Sequence, residues 1–227
     1  MTGIIGAMHI EVETIKSLME NKTAEKISGV EYVKGTLHGR EIVIAVCGIG
    51  KVAAAMCTQT MILKYAPDCV INTGVGGSLS TKLAIGDIAV AESLVQHDMD
   101  TSPLGDPVGM ISGINLVKLP ASKSLVKKIT AAADRIGLPY ACGVIASGDQ
   151  FIADREKKDW IRDTFDAIAC EMEGAAIGQV AYVNGVDFAV LRAISDNADD
   201  AAGSMDYPTL CERAAKQTQI LIEALFA

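Results

Sequence analysis

Basic stripes, paired cysteines and long apolar runs are all missing from this sequence, and each absence removes a class of function. Lys and Arg number 20 against 28 Asp and Glu, a net charge of −8. The densest basic pairs are only Lys127-Lys128 and Lys157-Lys158. Nucleic-acid binding draws on a positive stripe that displaces counterions, so no nucleic acid is expected as a partner. The anionic balance argues equally against an anionic lipid surface. No apolar stretch approaches the roughly 20 residues that span a bilayer, so no membrane association is expected. Nor is a secretory leader, because Ile4 to Met8 is short, lacks a basic start and runs into Glu11 and Glu13. The six cysteines are widely spaced, mostly within apolar runs such as Val43-Ile44-Ala45-Val46-Cys47, and none forms a CxxC pair. That pattern points to reduced thiols in a cytoplasmic protein.

Cofactor signals are also lacking. His97-x-Asp has no second cluster to complete a metal site in a chain with three histidines. Gly48-Ile49-Gly50-Lys51 lacks the spacing of a phosphate-binding P-loop, and Thr73-Gly74-Val75-Gly76-Gly77 lacks the third glycine of a dinucleotide fingerprint. No metal and no cofactor are expected. The glycines there suggest a tight turn letting backbone approach a ligand.

What is present is a core. Half of the 227 residues are hydrophobic, and strand-length apolar runs alternate with helical segments. Strands are expected at Gly3 to Met8, Cys69 to Asn72, Asp87 to Val95, Ala141 to Ala146, Ala167 to Cys170 and Phe188 to Ile194. A hairpin is expected from Val30 to Gly35 and Glu41 to Cys47, around His38-Gly39-Arg40. Helices are expected at Glu11 to Glu20, Lys51 to Lys64, Ser122 to Ile136, Arg155 to Thr164, Gly174 to Tyr182 and Pro208 to Leu225. His97 to Leu119 reads as a long loop. The fold class is α/β, a single domain over 1–227 with a central twisted mixed, mostly parallel sheet flanked by helices on both faces.

In such sheets ligands bind beyond the carboxyl ends of the strands. There the sequence sets Glu11, then Ser147-Gly148-Asp149-Gln150-Phe151-Ile152, then Glu171-Met172-Glu173, then Ser195-Asp196 preceded by Arg192. Carboxylates at four of five strand ends exceed what solubility requires. Glycosidic cleavage has a use for them, since its oxocarbenium-like transition state calls for an acid on the leaving group and a base on water. A third carboxylate can grip a vicinal diol, and an aromatic ring can stack on a base. Asp196, Glu11, Glu173 and Phe151 are suitable types. Each also has a plainer reading: Glu173 at a helix start, Asp196 as a cap, Glu11 as a first-turn residue, Phe151 as core.

Seven strings occur in order: Gly3-Ile4-Ile5-Gly6-Ala7-Met8-x-x-Glu11, Gly48-Ile49-Gly50-Lys51-Val52-Ala53-Ala54-Ala55, Ile71-Asn72-Thr73-Gly74, Gly86-Asp87-Ile88, Ser147-Gly148-Asp149-x-Phe151-Ile152, Glu171-Met172-Glu173 and Arg192-Ala193-Ile194-Ser195-Asp196. Together, from about residue 3 to 225, they closely resemble the 5'-methylthioadenosine/S-adenosylhomocysteine nucleosidases of the nucleoside phosphorylase superfamily. The resemblance implies that Asp196 protonates N7 of adenine and that Glu11 orients and activates water, with Arg192 as a third catalytic residue near the water and Glu11. It gives Glu173 the ribose hydroxyls and packs Met172 on the sugar. Phe151 would stack on adenine while the Ile152 backbone bonds its edge. Met8, Ile49, Val75, Gly77, Glu171 and Ser195 complete the implied substrate site, and Tyr207 matches an aromatic that closes over the ligand. Family members are homodimers, which would bring Thr101 and Leu104 into the partner's 5'-substituent pocket.

Departures matter. Val75 stands where the family commonly has a serine, and Leu104 and Asp106 stand where aromatics often line the 5' pocket. Related phosphorylases hold phosphate with an arginine in the first strand's loop; Met8-His9-Ile10-Glu11 has none, which favours hydrolysis. Arg40 is the contrary detail, since related phosphorylases also reach a partner's phosphate with an arginine after a strand turn. An aminofutalosine-type nucleosidase, a phosphorylase and a non-catalytic adenosine sensor are the competing functions.

Overall fold

One strand, β5 (Cys69–Ser78), organises the architecture because it changes neighbours along its length. The computed structural model describes residues 1–198 and 207–227. Over its first half β5 pairs in parallel with β1 (Thr2–Gly6) as far as Ile5↔Asn72, and then with β9 (Ala167–Glu171), antiparallel, at Gly77 and Ser78. On its other edge it runs parallel to β10 (Asp187–Asp196) throughout. Between Asn72 and Gly77 the first edge is therefore open. That gap lies at the carboxyl end of β1.

The sheet is mixed. β6 (Ile88–Gln96) pairs antiparallel with β10 and parallel with β8 (Tyr140–Ser147), which runs parallel to β9. Since β9 returns to β5, the five strands close into a barrel-like ring, which apolar periodicity alone does not reveal. The two-residue β7 (Leu119–Pro120) pairs with β6 at Ser93 and Leu94, beyond the stretch that β10 pairs. Beyond β1 the sheet continues as a wing through β4 (Arg40–Val46), β3 (Val30–Leu37) and β2 (Glu20–Ile27), which includes the expected hairpin.

Helices cover both faces. On one, α1 (Glu13–Leu18), α3 (Lys123–Ile136) and α6 (Tyr207–Phe226) pack through Ile15, Leu125, Ile129, Ala215 and Ile222. On α3 the buried residues Leu125, Ile129, Ala132 and Ala133 recur at helical spacing, and burying each large one stabilises the fold by about 1.5–3 kcal/mol. On the other face α2 (Lys51–Tyr65) and α5 (Gly174–Val183) pack Cys57, Met61 and Ile177 against Ile5 and Val43. The Asp154 carboxylate accepts the Lys157 N–H and so caps α4 (Arg155–Phe165), whose Ile161 and Phe165 close the barrel's side. Among the described residues no helix is long and apolar enough to cross a membrane.

Two expectations need correction. The helix expected from Glu11 to Glu20 stops at Leu18, and Glu20 begins β2. That strand is exposed along nearly its whole length, so no alternation marks it; its charges protect a sheet edge instead. The residues Thr73 to Ser78 form strand, not a turn.

Candidate active site

The site grows from the end of β1. After Gly6 the chain makes a single 3-10 turn, His9–Glu11, which folds the Glu11 side chain back over the strand end. Its Oε2 accepts the Ala7 and Met8 N–H groups at 2.7 and 2.9 Å, and its Oε1 accepts the Val75 N–H at 3.1 Å across the gap in β5. A Cβ on Gly74 would sit 2.5 Å from that Oε1, so only glycine allows this approach. Burial pushes the Glu11 carboxyl above its ordinary range, against the lowering effect of Arg192 and the three amides.

Behind the cavity is an ionic frame. Arg192, fully buried, donates to Asn72 Oδ1 at 2.5 Å and to the Glu171 carboxylate. Glu171 further accepts the Ser147 hydroxyl and the N–H groups of Glu173 and Gly174 at 2.9 and 2.7 Å. With its lone pairs so occupied, Glu171 serves as a fixed negative wall. The Glu173 Oε2 lies 3.8 Å from Arg192, and its Oε1 accepts the Gly50 N–H at 2.9 Å. Burial, followed by the neighbouring Glu171 charge, raises the Glu173 carboxyl to about 7. Glu173 does stand at the start of α5, as the plain helix-start reading has it, but its side chain caps no amide of that helix and accepts the Gly50 N–H instead.

Asp196 ends β10. Its Oδ2 accepts the Ser195 hydroxyl at 2.7 Å and its Oδ1 accepts the Ala198 N–H, also at 2.7 Å. The second bond is the local turn that the plain reading foresaw, yet the buried carboxylate also faces the cavity. Glu11, Glu173 and Asp196 line one cavity of about 110 Å³ together with Glu171. Met8, Val75, Ile152 and Met172 supply apolar wall, while Ile49 and Phe151 stand half exposed at the lining's edge. No lysine or arginine lines it among the described residues.

The structure thus gathers most of the residues expected from sequence, Gly77 included. Arg192 and Ser195 lie behind the lining. Leu104 is 84% exposed, and Thr101 donates its hydroxyl to Asp106 at 2.8 Å; neither lines this chain's cavity. Tyr207 starts α6, and its side chain lies outside the described residues. Arg40 opens β4 at the opposite end of the sheet, in a second cleft with Lys128 and Arg135. Ala7, Gly76, Gln150 and Cys170 line the cavity without having been expected. Asn72 and Ser147, the buried supports of the ionic frame, were also missed; polar residues ending apolar strands were the available signal.

The phosphorylase superfamily profile matches residues 2–227, and the chain is a member of that superfamily. A Shewanella putrefaciens 5'-methylthioadenosine/S-adenosylhomocysteine nucleosidase is 39% identical over 225 residues, 98% of this chain and 96% of the relative. The Neisseria meningitidis enzyme of the same name, crystallised with methylthio-immucillin-A, superposes with a TM-score of 0.95 at 33% identity, covering 99% of this chain and 97% of that one. A Helicobacter pylori structure described as futalosine hydrolase superposes at 0.94 with 37% identity, covering 99% and 96%. Within the superfamily, this chain belongs to the 5'-methylthioadenosine/S-adenosylhomocysteine nucleosidase family.

Proposed function

We propose that this protein hydrolyses the N-glycosidic bond of 5'-methylthioadenosine and S-adenosylhomocysteine, releasing adenine and the 5'-thio-substituted ribose. The observation that carries this reading is the convergence of Glu11, Glu173 and Asp196, from three separate strand ends, on one cavity with Phe151 at its edge. Asp196 delivers a proton to N7 as the bond breaks, and the Ser195 hydroxyl can turn from donor to acceptor as that carboxyl changes state. Glu11 takes the proton from the attacking water. Its burial makes it a stronger base than an exposed carboxylate, and its three amide bonds hold it in one orientation. Glu173 accepts the ribose hydroxyls, Met172 packs on the sugar, and Phe151 and Ile152 hold the base.

Water is favoured over phosphate as nucleophile because the lining carries carboxylates and no cation among the described residues. Arg192 is committed to Glu171 and Asn72. A homodimer with Thr101 and Leu104 in the partner's pocket belongs to this reading; the exposed Val52, Met56 and Leu63 on α2 and Val183 on α5 support it. A role in methionine salvage and a cytoplasmic location also belong to this reading, the latter supported by free thiols at Cys47, Cys57, Cys69, Cys142 and Cys170. The likeness to a structure described as futalosine hydrolase favours aminofutalosine as a second substrate.

Incubation with methylthioadenosine, adenosylhomocysteine, aminofutalosine and inosine, with and without phosphate, tests the reading. Free adenine and free 5'-thio-ribose should form from the first two at a rate indifferent to phosphate. Turnover that requires phosphate, or none with either thio-nucleoside, would overturn it.

A further inference from the structure

Outside the cavity, three side chains close a ring that the chemistry above does not use. The Lys51 ammonium donates to Asp98 Oδ1 at 2.7 Å and to Gln96 Oε1 at 3.1 Å. Asp98 Oδ2 accepts the Asp149 N–H at 2.9 Å, and Asp149 Oδ1 accepts the Lys51 N–H at 2.7 Å. The ring thereby joins the start of α2 to the segments after β6 and β8. Gln96 carries it to α5, donating to Gln179 Oε1 at 2.5 Å. The Lys51 and Asp98 side chains are each only 19% exposed, so solvent screens the pair weakly. Close packing accompanies the bonds. The His97 ring is buried against Gly148, where a Cβ would meet Nε2 at 2.3 Å.

The ring adjoins two binding groups along the chain. Lys51 follows Gly50, whose N–H donates to Glu173 at 2.9 Å. Gly50 holds φ at +98°, and a Cβ there would meet Asp149 Oδ1 at 3.0 Å, so Asp149 lies directly against the residue that holds Glu173. Asp149 also precedes Phe151 by two residues. Glu11 and Asp196, in contrast, are held by Ala7, Met8, Val75, Ser195 and Ala198, none of them in the ring.

We propose that Lys51, Asp98 and Asp149 are positioning residues, a clamp that fixes the ribose grip and the base platform while leaving the acid and base to separate supports. This rests on the nucleosidase reading, and wild-type turnover of methylthioadenosine examines that reading first and by itself. Asp149→Ala removes the acceptor for Lys51 N–H, whereas Asp149→Asn keeps an oxygen there. With one such bond lost, Asp149→Ala should raise KM roughly tenfold with kcat within about threefold, while Asp149→Asn stays within about threefold in both. Because the ring acts as a unit, Asp98→Ala combined with Asp149→Ala should raise KM little more than either alone. Loss of the Gly50 donation should also move the acid limb of the KM profile to higher pH, since that N–H favours the ionised Glu173. Amide hydrogen exchange at Gly50 and Lys51 reads the clamp independently of turnover and should accelerate in Asp149→Ala. An Asp149→Ala protein with unchanged KM, one losing kcat and KM in parallel while folded, or an Asp149→Asn protein as impaired as the alanine variant would each refute the clamp, as would unaltered exchange at those two amides.

Discussion

Arg192 is the residue on which the site's electrostatics turn. It is buried among Glu171, Glu173 and Glu11, and its positive charge is what allows several carboxylates to share so small a volume. The compensation is unequal. Glu171 holds the strong contact, while Glu173 is left partly unbalanced and rises to about 7 against an ordinary 4.5. Between those values the folded chain keeps a proton that the unfolded chain has released, so this group's contribution to stability is present below about 4.5 and is lost as pH rises through about 7. Glu173→Gln removes the penalty at high pH. The variant should gain on the order of 1–3 kcal/mol relative to wild type between pH 5 and pH 8, while binding nucleoside more weakly. Urea unfolding at the two pH values measures this; a difference that does not grow with pH would count against it. Asp196→Asn keeps the shape and the Ala198 contact but holds no transferable proton. Its kcat should fall roughly 10²- to 10⁴-fold, with binding of a nucleoside analogue changed by less than about tenfold, measurable by steady-state assay and calorimetry. Full activity in that variant would remove Asp196 from the acid role.

Among the elements, β5 carries the argument. Its stretch Thr73–Ser78 resembles a turn because glycine is read as a chain reversal, but three of these glycines serve close approach within a strand. Gly74 admits Glu11, Gly76 faces the Cys170 carbonyl, and Gly77 faces Asp196 and Ala198. Composition cannot tell space for a neighbour from freedom of φ, and so the strand was illegible there. Strands buried on both faces, such as β1, β4 and β10, were legible as continuous apolar runs, α2 by its Ala- and Met-rich composition and α3 by its helical period. The edge strand β2 lacks a buried face and hence a pattern. The carboxylates could be read at strand ends, but roles for them came only through family resemblance. Gly74→Ala tests the close approach. The added methyl displaces the Glu11 carboxylate from the Val75 N–H, so kcat should fall at least tenfold, with a stability loss of about 1–3 kcal/mol. Assay and thermal melting together would check it, and an alanine variant with wild-type kcat would show that Glu11 tolerates misalignment.

On the scale of the whole molecule, large apolar side chains stand exposed on the exterior. Val52 is 80% exposed and Leu63 76% on α2, and Leu104 stands out at 84% on the loop after β6. Residues of this type in water cost little singly, but Val52, Met56 and Leu63 recur at helical spacing along one face of α2, and such a row marks an association face. In the proposed homodimer that face is buried, and Leu104 of each chain helps complete the other's 5' pocket. Val52→Glu separates association from folding. Position 52 is in the first turn of α2, where a carboxylate suits the helix dipole, so the isolated chain should be as stable as before or slightly more so. Buried at an interface without a partner, the same charge costs several kcal/mol. Sedimentation should therefore show wild type at twice the 23.8 kDa chain mass and Val52→Glu at the single mass, with the weakened dimer restored only at more than roughly a hundredfold higher concentration. Activity should recover with it if, as proposed, each pocket is completed by the other chain. A monomeric wild type with full activity would dismiss the shared pocket, and a dimeric Val52→Glu would move the interface away from α2.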